Sequence, residues 1–217
     1  MKKTTGLVFV ACLACAGLAT EAHARPVSYA DGWMVMQTND ADSHALEVNY
    51  SPTSRYAIGY VGEYWRKEEW QFHGFQANWL AKRWNMPASQ ANIFIKSAIG
   101  VAYSDAGEWD AKTAPAGSLS FSIDWEDRRY YTSYESRYVE AGDIDHFFRH
   151  KARVGIAPYI GDYGDLHSWL MLEVEHNPTA EKEFTVTPML RLFKGDYLTE
   201  LGISHRGDVL FNWTAQF

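Results

Sequence analysis

The sequence predicts an all-β chain, a single antiparallel transmembrane β-barrel of about twelve strands, with ten to fourteen as outer bounds. Three observations predict it. Apolar and polar residues alternate with a period of two, the alternating runs mostly last about 9–13 residues, and Tyr and Trp gather near their ends. Period two marks a pleated strand with one apolar and one polar face. A soluble sandwich hides the apolar face and a membrane barrel turns it outward to lipid, so periodicity alone does not separate them. Run length does, because soluble strands average about 5–6 residues whereas a tilted bilayer crossing needs about 9–11.

Composition excludes the main alternatives. The 217 residues carry a net charge of −7, are 47% hydrophobic and have a mean hydropathy of −0.33. No internal run approaches the roughly 18 uninterrupted apolar residues of a spanning helix. An aromatic content of 15% is far too high for a disordered chain. An acidic balance with no Lys/Arg cluster gives no reason to expect nucleic acid.

Residues 1–24 read as a cleaved signal peptide. Lys2 and Lys3 form a positive start, Gly6 to Ala19 an apolar small-residue core, and Ala22-His23-Ala24 an A-x-A cleavage site. Neither Phe9-Val10-Ala11 before Cys12 nor Cys12-Leu13-Ala14 before Cys15 makes a lipobox. Cleavage removes Lys2, Lys3 and Glu21, so the mature domain, 25–217, is one unit more acidic. It also removes both cysteines, so disulfides cannot stabilise that domain.

Turn-forming residues divide the domain into strands at 32–38, 43–50, 55–66, 70–82, 92–104, 117–126, 130–140, 147–159, 166–176, 183–193, 197–205 and 208–217. Leu119, Phe121, Ile123 and Trp125 alternate with Ser120, Ser122 and Asp124. Leu170, Leu172 and Val174 alternate with Met171, Glu173 and Glu175. Only Trp79 to Met86 has a short helix as an alternative. The expected interface girdle comprises Trp33, Tyr64, Trp65, Trp70, Trp79, Trp84, Tyr103, Tyr130, Tyr131, Tyr159, Tyr197 and Trp213.

In the last strand Val209, Phe211, Trp213, Ala215 and Phe217 alternate, and the sequence stops on Phe217. Here the chain resembles bacterial outer-membrane β-barrel proteins, whose last strand ends in an aromatic residue that the insertion machinery recognises. The resemblance implies an outer-membrane location, with outer-membrane lipids and that machinery as partners. An even strand count then places both termini in the periplasm, and 39–42, 67–69, 105–116, 141–146, 177–182 and 206–207 outside. The connection 83–91 is long for a periplasmic turn and counts against twelve strands.

The polar faces of the later strands carry opposite charges. Arg149, Lys151 and Arg153 share one face of strand 147–159, and Glu173 and Glu175 share one face of strand 166–176. A symmetric turn at 160–165 sets Arg153 opposite Glu173 and Lys151 opposite Glu175. The next hairpin sets Arg191 opposite Glu200, and Glu135 and Arg137 extend the network. Lipid would not tolerate these charges, so they must face the lumen. They form either a ladder that fills and rigidifies the barrel or a constriction that sets solute preference. Twelve strands lie between about eight, where side chains fill the interior, and about sixteen, where water does.

His44, His73, His146, His150, His176 and His205 are expected near the extracellular rim and His167 at the opposite end. A rim of imidazoles could bind Zn²⁺ or Cu²⁺, with Met34 and Met36 as softer ligands for Cu(I), although no pair has compelling ligand spacing. No cofactor is expected. No catalytic residue is assigned either, because His167-Ser168 and Ser204-His205 are strand neighbours that point to opposite faces, and the usual catalytic motifs are missing. Arg206-Gly207-Asp208 reads as turn chemistry. The leading expectation is a narrow pore for small solutes or ions. The alternatives are a structural or surface-binding barrel and a lipid-modifying hydrolase.

Overall fold

A chain that alternates this regularly has to close its sheet or leave two unpaired edges, and this one closes it. The computed structural model describes residues 25–104, 111–162, 164–180 and 183–217, so the expected signal peptide lies outside the described residues. The strands are β1 (Gly32–Asn39), β2 (Ser43–Thr53), β3 (Tyr56–Trp65), β4 (Trp70–Asn85), β5 (Ser89–Ser104) and β6 (Thr113–Asp127). They continue as β7 (Tyr130–Glu140), β8 (His146–Ile156), β9 (His167–His176), β10 (Phe184–Lys194), β11 (Tyr197–Ile203) and β12 (Val209–Gln216). Each pairs antiparallel with its sequence neighbours, and β1 closes on β12. At that seam Met34 stands opposite Gln216 and Asn39 opposite Phe211. The Trp33 amide donates to the Phe217 carbonyl at 2.6 Å and the Phe217 amide to Trp33 at 3.0 Å, so the terminal aromatic residue belongs to the closure itself.

The face that a soluble protein would bury points outward. Phe75 is 80% exposed, Ile99 73%, Leu119 57% and Leu170 57%. The inward face holds buried charge instead, with Glu63, Arg149, Glu173, Glu175 and Glu200 all nearly inaccessible. Apolar outside and charged inside is the arrangement of a barrel in lipid. The fold is a twelve-stranded transmembrane β-barrel.

Three expectations need correction. The possible helix from Trp79 to Met86 is strand: β4 runs through to Asn85, and a register shift between Leu80 and Lys82 breaks its alternation. One inserted residue moves the apolar set out of phase with period two, which imitates a helical pattern. The supposedly long connection 83–91 shrinks to 86–88, closed by the Met86 amide on the Ser89 carbonyl, and no longer counts against twelve strands. Trp65, Trp70 and Tyr131 do not belong to the girdle. Trp65 and Trp70 are buried and stacked at 3.9 Å, and Tyr131 packs inward against Trp169. They alternate in phase with Glu63, Phe72 and Glu135, so register sets their direction and residue type does not.

The lumen has two unlike ends. At the end away from the termini, Trp65, Trp70, Phe72, Val139 and Phe147 form an apolar cluster. At the end with the termini, Val27 packs with Ala57, Leu80 and Phe94. The connection 157–166 also lies at this end and outruns the expected 160–165, because β8 stops at Ile156.

Candidate functional site: a charged lumen

Five neighbouring strands, β7 to β11, build the ladder. β8 points Arg149, Lys151 and Arg153 inward, facing Glu135 and Arg137 of β7 and Glu173 and Glu175 of β9. Lys151 stands opposite Glu175 and Arg153 opposite Glu173, the register that a symmetric turn requires, even though the connection is longer. Arg191 of β10 stands opposite Glu200 of β11.

Contacts follow the register. Arg153 Nε donates to Glu173 Oε2 at 2.6 Å, and Arg191 Nε to Glu200 Oε1 at 2.8 Å. Glu200 also accepts from Asn212 Nδ2 at 2.9 Å and lies 3.4 Å from Arg153. Lys151 Nζ is 3.1 Å from Glu175. The Arg191 guanidinium lies 4.5 Å from the centre of the Tyr131 ring. Each buried charge therefore has an opposite partner, without which it would be very costly.

Sequence reasoning missed the carboxylates that carry the network across the lumen. Arg137 donates to both oxygens of Glu63 on β3, at 3.1 and 2.6 Å. Arg149 is 3.6 Å from the same carboxylate. Asp40, in the turn between β1 and β2, reaches inward to Lys151 at 3.2 Å and Arg149 at 3.5 Å. Lys96 of β5 pairs with Glu135 at 2.8 Å. Glu63 was findable as the one charge among small residues on the polar face of its strand. Asp40 was not, because Asn39-Asp40 reads as ordinary turn chemistry. Burial alone would raise the Asp40 carboxyl, but Lys151 and Arg149 beside it, with the Ser43 and Asp42 amides, hold it below the usual carboxylate range.

A cavity of about 420 Å³ runs along this network. Its lining includes Arg128, Gly161, Asp165 and Asp196 from the connections at the termini end, next to Asp127 at the end of β6. Among the described residues, Asp40 alone represents the connections of the other end. The lining is thus weighted towards the end with the termini and reaches the Asp40 crossing at the other.

The histidines do not converge. His44, His73, His146, His150, His176 and His205 lie towards the end away from the termini, and His167 lines the cavity at the other. His150 and His176 alone stack on one another, at 5.9 Å on the outer wall, and Tyr134 Oη is 2.9 Å from His150 Nδ1. Among the described residues no three His, Cys, Asp or Glu side chains are grouped to hold a metal ion. Met36 faces the cavity, away from the outward-facing His44. Ser204 Oγ bonds Asp208 at 3.0 Å and His205 bonds the Val186 backbone, so that pair is turn structure.

No family model and no curated protein matches the chain. Among solved structures it is similar to the KdgM porin, at 8% identity and a TM-score of 0.47 over 86% of this chain and 98% of that one. The KdgM porin in complex with disordered oligogalacturonate gives the same values. OccAB4 of Acinetobacter baumannii matches at 11% identity and a TM-score of 0.38, over 84% of this chain and 57% of that one. These are distant likenesses.

Proposed function

We propose that this chain is a narrow pore of the bacterial outer membrane, exported by a cleaved signal peptide and conducting small solutes or ions. The observation that carries this reading is the cavity of about 420 Å³ beside the charged network of the lumen, inside an apolar outer wall. A barrel that needed only to be filled could use apolar side chains, as its two ends do, without burying so many ions. Both termini lie in the periplasm, and the terminal Phe217 strand is what the insertion machinery engages. Export of labelled small ions and sugars from proteoliposomes tests the pore: leakage well above that of empty vesicles supports it, and tight vesicles with folded protein overturn it.

One observation favours a second reading, a structural or surface-binding barrel. The Trp65–Trp70 stack, braced edge-on by Phe147 at 5.8 Å, fills part of the outer mouth. In the structural reading it is a plug. The hydrolase alternative has one outward Ser/His juxtaposition, Ser136 opposite His150, but the His150 ring is already engaged by Tyr134.

A further inference from the structure

The chain enters the barrel from inside. Before β1 begins, Arg25 and Pro26 lie in the wall of the cavity, and Val27 is 4% exposed against Leu80 and Phe94. The Arg25 guanidinium pairs with Glu126, and both side chains are about nine-tenths buried. Beside them Asn92 Nδ2 donates to Asp124 at 2.6 Å, and Asn92 Oδ1 accepts from Arg83 Nε at 2.7 Å. The site thus holds two carboxylates, Asp124 and Glu126, and the guanidinium groups of Arg83, from the wall, and Arg25, from the segment before β1.

Hydrogen bonds to the wall hold that segment. Asn78 Nδ2 donates to the Pro26 carbonyl at 3.3 Å and the Ser28 amide to Ser51 Oγ at 3.0 Å. Asn78 Oδ1 and Ser28 Oγ, however, are buried without a partner. Unsatisfied buried polar atoms count against the docked state and favour release into water, where they are hydrated. Release of Arg25 would leave the confined Asp124/Glu126 pair short of positive charge, and a solute cation of similar shape would restore it.

We propose that residues 25–28 are a tethered plug, and that the Asp124/Glu126 pair it covers is a binding site for solutes bearing a guanidinium or ammonium group. The site fixes what the plug is exchanged for: a cation able to take the place of the Arg25 guanidinium at Glu126 enters as the plug leaves. The pore reading underlies only the consequence for conduction, since binding needs no open channel.

The test compares refolded protein beginning at residue 25 with its Arg25→Ala variant and with protein beginning at residue 29. L-arginine is the probe and neutral L-citrulline the control. Calorimetry should show arginine binding to both altered proteins at least about tenfold more tightly than to the parent, because no tethered guanidinium competes. Citrulline should not bind, and adding Glu126→Gln to Arg25→Ala should abolish the arginine signal. Equal arginine binding by all three proteins, or none by Arg25→Ala, overturns the proposal. Arg25→Ala keeps Val27 in place and so guards against a truncation that merely misfolds. In planar bilayers, arginine should block the Arg25→Ala channel. Channel steps from a protein that binds no arginine overturn this proposal and leave the pore standing, whereas arginine binding by a silent protein upholds it and overturns the pore.

Discussion

Glu63 and Arg137 meet across the lumen from β3 and β7, joined by two N–H···O bonds of 3.1 and 2.6 Å. The Glu63 side chain is 1% exposed and that of Arg137 15%, so the pair is shielded far better than a surface ion pair. It ties opposite walls together, where the ladder on β8, β9, β10 and β11 ties neighbours.

Glu63→Ala takes from Arg137 the carboxylate to which it donates and leaves Arg149 with Asp40 at 3.5 Å, in a confined space. Breaking one side of a buried pair costs about 3–5 kcal/mol, and the loss should appear in tryptophan-detected urea unfolding of the detergent-folded barrel. Glu63→Ala with Arg137→Ala should cost less than the two single effects added. Additive effects would mean that the two residues act independently.

Glu173 and Glu200 share Arg153, which separates their roles. Glu173→Ala leaves Arg153 with Glu200 at 3.4 Å, whereas Glu200→Ala strips Arg191 of its carboxylate and Asn212 of an acceptor. Glu200→Ala should therefore destabilise more, by about 1 kcal/mol or above, in parallel unfolding curves. The reverse order would contradict the hydrogen-bond pattern.

How far the sequence carries can be judged from these residues. The β8–β9 and β10–β11 pairings were legible because consecutive strands pair antiparallel about their connection and opposite charges then fall into line. Glu63–Arg137 was not, because it spans non-adjacent strands and depends on barrel curvature, which no local pattern encodes. Trp65 and Trp70 misled for a related reason: an aromatic residue near a strand end suits both the lipid interface and the inside of a mouth, and one residue of phase decides between them. The bulge near Leu80 hid a strand end in the same way.

Asp40 makes stability depend on acid. Its carboxyl titrates lower in the folded barrel than in the unfolded chain, so the Asp40 contribution is fully present above the unfolded value, about 3.9. It is lost as pH falls from there through the lower folded value. The stability gap between the parent and Asp40→Asn should therefore be constant at neutral pH and shrink below about pH 4, as read from unfolding midpoints. A gap that widens in acid would mean that Asp40 does not serve Lys151 and Arg149.

Deleting Phe217 removes both seam bonds to Trp33 and the outward ring at the barrel edge. Refolding into vesicles, followed by the gel shift between boiled and unboiled samples, should be slower for the deletion than for Phe217→Tyr, which keeps the backbone bonds. Equal rates would show that the terminal residue plays no part in closure.

Single-channel recording in planar bilayers tests the central claim, a charged lumen that conducts, most directly. The account predicts discrete, low-conductance steps whose cation/anion permeability ratio falls in Glu63→Gln, as a fixed negative charge leaves the crossing. Folded, correctly inserted barrels that stay silent, in the parent and in a variant lacking residues 25–28, would contradict it.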